Sequence, residues 1–239
     1  MKAQILKTLA ALALITTSAA AQETPMENHT ASYIAMPAAE GQTEAFAEFL
    51  AGAAPIVADT EPGTVLWFAL QDDDTLAIFD IFVDEEARNA HFSGAVAAAL
   101  NQNADALVAG GWDDGVVANI NNSDVLSVRE PVDLYSATTA TYITLEAALG
   151  RGPELAALLT AAGPIVGETE PGTLFWAALQ IDETSFAIFD IFTNKAGREA
   201  HFAGQVAGLL KERAAELVAG GWDDGVAANV HNFDILAIK

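Results

Sequence analysis

The sequence predicts an α+β protein: two tandem ferredoxin-like units, each β-α-β-β-α-β, packed into an eight-stranded barrel-like sandwich with helices outside. Three observations lead there. The chain repeats itself: PIVADTEPGTVLWFALQ at 55–71 returns as PIVGETEPGTLFWAALQ at 164–180, and LVAGGWDDGVVAN at 107–119 returns as LVAGGWDDGVAAN at 217–229. The copies lie 109 residues apart up to Gln71/Gln180 and 110 apart after a one-residue insertion, a domain-sized period rather than a solenoid one. Finally, the strands look apolar on both faces, so each repeat needs a cover that its own helices cannot supply.

The elements follow in order. TASYIAM at 30–36 and TATYITL at 139–145 are β-branched and aromatic, as first strands are. Phe46, Phe49, Leu50, Ala53 and Val57 then recur at helical spacing, matched by Leu155, Leu158, Leu159, Ala162 and Val166. Glu-Pro-Gly at 61–63 and 170–172 ends that helix, because Pro stops it and Gly suits a tight turn. TVLWFALQ and AIFDIF form a hairpin around Asp72-Asp73-Asp74; TLFWAALQ and a second AIFDIF repeat it. A second helical region is expected over about 84–109 and 194–219, capped by Gly110 and Gly220. Trp-Asp-Asp-Gly makes a turn, and a last strand starts at GVVANI or GVAANV and finishes at DVLSV or DILAI. In the second strand, Leu66, Phe68 and Leu70 share one face, and Val65, Trp67 and Ala69 the other.

The first residues read differently. Lys2 and Lys7, an apolar stretch from Leu9 to Ile15, and Ser18-Ala19-Ala20-Ala21-Gln22 have the form of a secretory signal peptide cut after Ala21. The expected organisation is signal peptide 1–21, flexible leader 22–29, first domain 30–130 and second domain 131–239, in a periplasmic or secreted protein. There is no Cys, so stability rests on apolar burial, for which the 52% hydrophobic content supplies material. A net charge of −23 argues against nucleic acid and anionic membrane partners; an acidic surface that serves solubility accounts for it. The two repeats pair with each other, so a monomer or weak homo-oligomer is expected.

The helix ending in EPGT, the strand with an aromatic, the F-D-x-F strand, D-E-E-A-R-N-A-H and the closing D-I-L-A-I-K occur in an order that resembles the antibiotic biosynthesis monooxygenase family, closest to its quinol-monooxygenase-like branch. The resemblance covers both repeats. Family members are dimers of single ferredoxin-like domains sharing an α/β barrel, so it implies an intramolecular dimeric α/β barrel. It also implies an oxidoreductase that oxygenates a small aromatic or quinol substrate without metal or flavin. An enzyme base helps deprotonate an electron-rich phenol, and the anion reacts with O2. The family includes members without demonstrated activity, so a binding or structural module with an apolar barrel cavity is the alternative. The Asn, Trp and His pattern of haem-degrading relatives does not carry over. The helical His falls near those relatives' Trp, and the first strand has no matching Asn.

The duplicated residues define the candidate site. His91 and His201 sit in EARNAHF and GREAHF; an imidazole there is either a general base on a phenol or a structural group bonded to a strand or loop. Asp80 and Asp190 interrupt apolar strands, where a carboxylate must find a partner or shift its pKa. Each orients the His, accepts a proton, or is a buried structural acid. Phe82 and Phe192 share the Asp face and either line the cavity or face the helices. Trp67, Trp176, Tyr33 and Tyr142 either line a pocket for a flat ligand or are core. Asn119 and Asn229 bond a loop or a ligand. The Asp113-Asp114 and Asp223-Asp224 pairs lack the oxygen count and D-x-D spacing of a calcium loop, and no zinc or nucleotide motif is present, so neither metal nor cofactor is expected. His231 faces Asn121 in the alignment and gives the second copy an extra titratable group, which would favour that half as the working one. N-terminal sequencing of protein from its native host should start at Gln22; an intact Met1 would overturn the signal-peptide reading.

Overall fold

The computed structural model describes Met26 and residues 29–239; the expected signal peptide and most of the expected leader lie outside the described residues. The first repeat contains β1 (Thr30–Pro37), α1 (Thr43–Thr60), β2 (Thr64–Asp72), β3 (Thr75–Phe82), α2 (Glu85–Phe92), α3 (Ala95–Leu107), the short α4 (Gly111–Gly115) and β4 (Ile120–Arg129). The second contains β5 (Thr139–Glu146), α5 (Gly152–Thr169), β6 (Thr173–Gln180), β7 (Ser185–Phe192), α6 (Lys195–Phe202), α7 (Gln205–Leu217), α8 (Gly221–Gly225) and β8 (Val230–Ile238).

Three local differences from the sequence reading have physical causes. The long second helix is two helices, α2 and α3, broken at Ser93-Gly94 and again at Ala203-Gly204. A Cβ on Gly94 would lie 2.8 Å from Glu61 Oε1, so the break admits a carboxylate from the preceding turn. Trp-Asp-Asp-Gly is a helical turn, not an open one, entered through Gly110 at φ 88°. The last strands begin at Ile120 and Val230, after a 3₁₀ turn at 117–119 and 227–229. The side chains of Asn119 and Asn229 bond backbone carbonyls of the preceding short helix, which settles them as loop-holding groups. Helices α1 and α5 continue through Pro55 and Pro164, held by burial on either side of each proline at Ala53, Val57, Ala162 and Val166.

Each repeat forms a four-stranded antiparallel sheet, and the two sheets do more than face each other. They merge edge to edge into one closed barrel, β1-β3-β2-β8-β5-β7-β6-β4. β8 pairs with β2 through Phe68↔Ile238 and Gln71↔Asp234, and β4 pairs with β6 through Asp124↔Gln180 and Arg129↔Trp176. Closure leaves no unpaired sheet edge. Each repeat's last strand therefore belongs to the other repeat's sheet as much as to its own.

Alternation then sorts the side chains. Leu66, Phe68, Leu70, Phe79 and Ile81 point into the barrel, while Trp67, Ala69 and Ile78 lie under α1 and α3. The barrel interior is filled by rings in pairs that the duplication makes equivalent. Tyr33 stacks on Tyr142 with centroids 3.7 Å apart, and Phe79 stacks on Phe189 at 3.7 Å. Phe68 packs against Phe189 at 5.5 Å. Truncating Phe79 to Ala should cost about 3–5 kcal/mol, measured by urea denaturation. Because Phe189 is its stacking partner, a double-mutant cycle of the two should show a coupling of about 0.5–1.5 kcal/mol.

Candidate functional site

The structure brings the duplicated His and Asp together, and adds a third group. Asp80 sits mid-strand on β3, on its helix-facing side. α2 lays His91 over that face, its first turn fixed by Asp84, whose side chain accepts a hydrogen bond from the Ala87 amide. The turn after α1 delivers Glu61. His91 Nδ1 lies 2.5 Å from Glu61 Oε2, and Nε2 lies 3.8 Å from Asp80 Oδ2. With the ring proton assigned to Nδ1, the imidazole donates to this carboxylate oxygen. Thr64 Oγ1 donates to the same Glu61 oxygen at 3.1 Å. The second repeat builds the same cluster: His201 Nδ1 on Glu170 Oε2, Nε2 3.7 Å from Asp190, and Thr173 donating to Glu170 at 3.2 Å.

These clusters are buried. His91 is 5% exposed and Asp80 is fully buried. Both oxygens of Asp80, Glu61 Oε1 and the indole Nε1 of Trp67 have no protein hydrogen-bond partner, nor do their counterparts on Asp190, Glu170 and Trp176. Trp67 stands opposite Asp80 in the β2–β3 register. Each buried polar group left unpaired costs about 1–3 kcal/mol. Burial pushes the Asp80 carboxyl up to about 7, with His91 and Lys239 opposing and Glu61 adding to the rise. Asp190 is likewise pushed up to about 7 by burial, against the pull of His201. Burial works to lower the His201 pKa, but Asp190 and Glu170 outweigh it and the imidazole is raised.

A cation from the opposite repeat closes each cluster. Lys239, at the end of β8, donates from Nζ to the carbonyls of Glu61, at 2.8 Å, and Thr64. Its counterpart Arg129, at the end of β4, donates from Nη1 to Leu174 O at 2.8 Å and Glu130 O at 3.1 Å. Beside the first cluster opens a groove of about 300 Å³, lined by Glu61, Pro62, Gly63, Ala87, His91 and Gly94. A larger groove of about 500 Å³ lies between α5 and α7 around Leu158, Ile165 and Leu209, away from both clusters.

The other expected site residues scatter. Phe82 and Phe192 do lie at the clusters, with ring centroids 5.3 and 5.4 Å from His91 and His201. Trp67 and Trp176 are completely buried on the same side of the sheet. Tyr33 and Tyr142 lie on the opposite side, inside the barrel, where burial pushes both hydroxyl pKa values up. His231 is exposed at the start of β8, opposite Tyr142 in register and outside the second cluster, so it adds no titratable group there. Glu61, Glu170, Lys239 and Arg129 were missed by sequence reasoning. The signal was present in the duplication: the Glu of EPGT recurs, and a cation ends both last strands.

No family model matches the chain, and no curated protein matches it. Solved structures do match. Two proteins, each called a "putative monooxygenase", come from Fusobacterium nucleatum and Lactobacillus acidophilus. The first superposes with a TM-score of 0.73 at 14% identity, over 88% of this chain and 94% of that one. The second has a TM-score of 0.69 at 10% identity, over 88% and 95%. An anthrone oxidase-like protein has a TM-score of 0.53 at 11% identity, over 89% and 93%. This chain shares the fold of these proteins, here as a closed eight-stranded barrel built from two tandem repeats.

The cluster makes stability depend on pH. An aspartate unfolds to a pKa near 3.9, whereas folded Asp80 and Asp190 sit at about 7. The folded state therefore binds extra protons between these values. Their contribution is full below pH ~4 and is lost as pH rises through about 7. The raised His201 acts in the same direction above its unfolded value. An Asp80→Asn/Asp190→Asn variant should show a flatter stability profile from pH 4 to 8 in urea titrations; a wild-type slope would contradict the assignment.

Proposed function

We propose that this is an exported monooxygenase-like enzyme that oxygenates a small aromatic or quinol substrate, without a cofactor, in the groove beside His91. The observation that carries the reading is a buried Glu–His–Asp cluster whose Glu61 and His91 line a mostly apolar groove. Glu61 lines that groove; its Oε1 is buried without a protein hydrogen-bond partner, while Oε2 is held by His91 and Thr64. In this scheme a substrate hydroxyl, or an acidic ring CH, passes its proton to Glu61. The His91 N–H holds the other oxygen of Glu61 in place, and Asp80 lies behind the imidazole. The resulting carbanion or phenolate gives electrons to O2. For an anthrone-type CH2 the balance is CH2 + O2 → C=O + H2O, with one oxygen entering the product and one leaving as water. Export is supported by the Lys-flanked apolar start ending at Ala21.

A non-catalytic reading has its own support. The same cluster ties the turn after α1 to α2, and it is repeated, equally buried, in the second half. Oxygen uptake with a panel of hydroquinones and anthrones separates the two. Catalysis requires Glu61→Gln to lower kcat by about 10²–10⁴-fold, with the folded state intact by circular dichroism. A wild-type rate no higher than that of the His91→Ala/His201→Ala double variant would leave only the structural role.

A further inference from the structure

The duplication also shows where one half lacks what the other half has. In the second repeat Lys211, on α7, holds its ammonium 5.4 Å from the centre of the Trp222 ring. A cation over an indole face is attracted by the ring quadrupole. In the first repeat the same place on α3 is Asn101, and Trp112 stands where Trp222 does. The surroundings are otherwise kept: Phe92 for Phe202, Ala97 for Ala207, Ala98 for Gly208. With the lysine gone, a groove of about 330 Å³ remains, lined by Phe92, Ala97, Ala98, Asn101, Gln102 and Trp112.

We propose that this groove binds an alkylammonium group, which takes the place over Trp112 that the Lys211 ammonium takes over Trp222. Two aromatic rings, Phe92 and Trp112, wall the groove, and small alanines leave room between them. Its polar rim is uncharged, since Asn101 and Gln102 replace Lys211 and Glu212. An incoming cation thus meets no fixed positive charge on the walls, and the net charge of −23 draws cations toward the surface. No side chain lining the groove is a cation, so an anionic ligand finds no partner there. Trp112 is anchored for the task. It is the second residue of the short helix α4 and packs, partly buried, against the core between sheet and helices.

The test uses ¹⁵N-labelled protein and its indole N–H resonances, assigned with Trp112→Phe and Trp222→Phe variants. Choline chloride is titrated against its neutral isostere, 3,3-dimethyl-1-butanol, with sodium chloride as the ionic-strength control. The Trp112 resonance should shift saturably with choline and not with the alcohol, while Trp222 stays still. Asn101→Lys installs the internal ammonium and should weaken choline binding at least about tenfold. Lys211→Asn should make Trp222 respond as well. N-acetyl-lysine methylamide, run in parallel, separates a free quaternary amine from a lysine side chain of another protein; saturation by either supports an alkylammonium site. A Trp112 response that saturates with neither cation, an equal response to the neutral alcohol, or indifference to Asn101→Lys overturns the proposal.

Discussion

Each four-stranded sheet here is apolar on both faces, and the rest of the molecule depends on where the second face goes. One face takes the repeat's own helices. The other can be removed from water only by a second sheet, and the second repeat supplies it. The two sheets then close through β2–β8 and β4–β6, so neither repeat retains a free edge. Burial inside is dense: the Phe79–Phe189 and Tyr33–Tyr142 stacks bring equivalent residues of the two copies into contact. The barrel interior is thereby a core shared by both halves.

Packed rings occupy the barrel interior, and the titratable clusters lie outside it, in the layer between sheet and helices. The Glu–His–Asp clusters occupy that layer at one end of each repeat. Their construction links local and global structure. A helix break at Gly94 admits Glu61, an N-capped helix presents His91, and a mid-strand Asp80 lies beneath. Barrel closure then brings the last strand of the other repeat alongside, so that Lys239 bonds the Glu61 and Thr64 carbonyls and Arg129 bonds the Leu174 carbonyl at the start of β6. The two halves are not independent units with private sites; each site borrows its cation from the opposite copy.

The duplicated groups carry a cost that a purely structural core would avoid. Unpartnered carboxylate oxygens and indole N–H groups recur in both copies at equivalent positions. Satisfied polar groups are the rule in buried regions, and these are exceptions repeated in both copies. Asymmetry between the copies sits around these clusters rather than in them. Lys239 replaces Arg129, and Asn101 replaces Lys211 in the neighbouring groove.

Much of this was legible from residues alone. The internal repeat, the β-α-β-β-α-β order, the two-faced strands and the candidacy of His91 and Asp80 all follow from spacing and composition, because periodicity and turn chemistry are local. Alternation put Asp80 on the face of Phe82 but could not say whether that face met helices or barrel interior. That choice, the separation of Trp67 from Tyr33, and the irrelevance of His231 to the cluster were decided by closure of the barrel. So were Glu61 and the borrowed cations, which reach the site from turns and strand ends far away in the chain. The sequence by itself determined which surfaces had to be buried. Only the tertiary structure decided against what, because the partner of each apolar face is set by long-range strand pairing that no local pattern encodes.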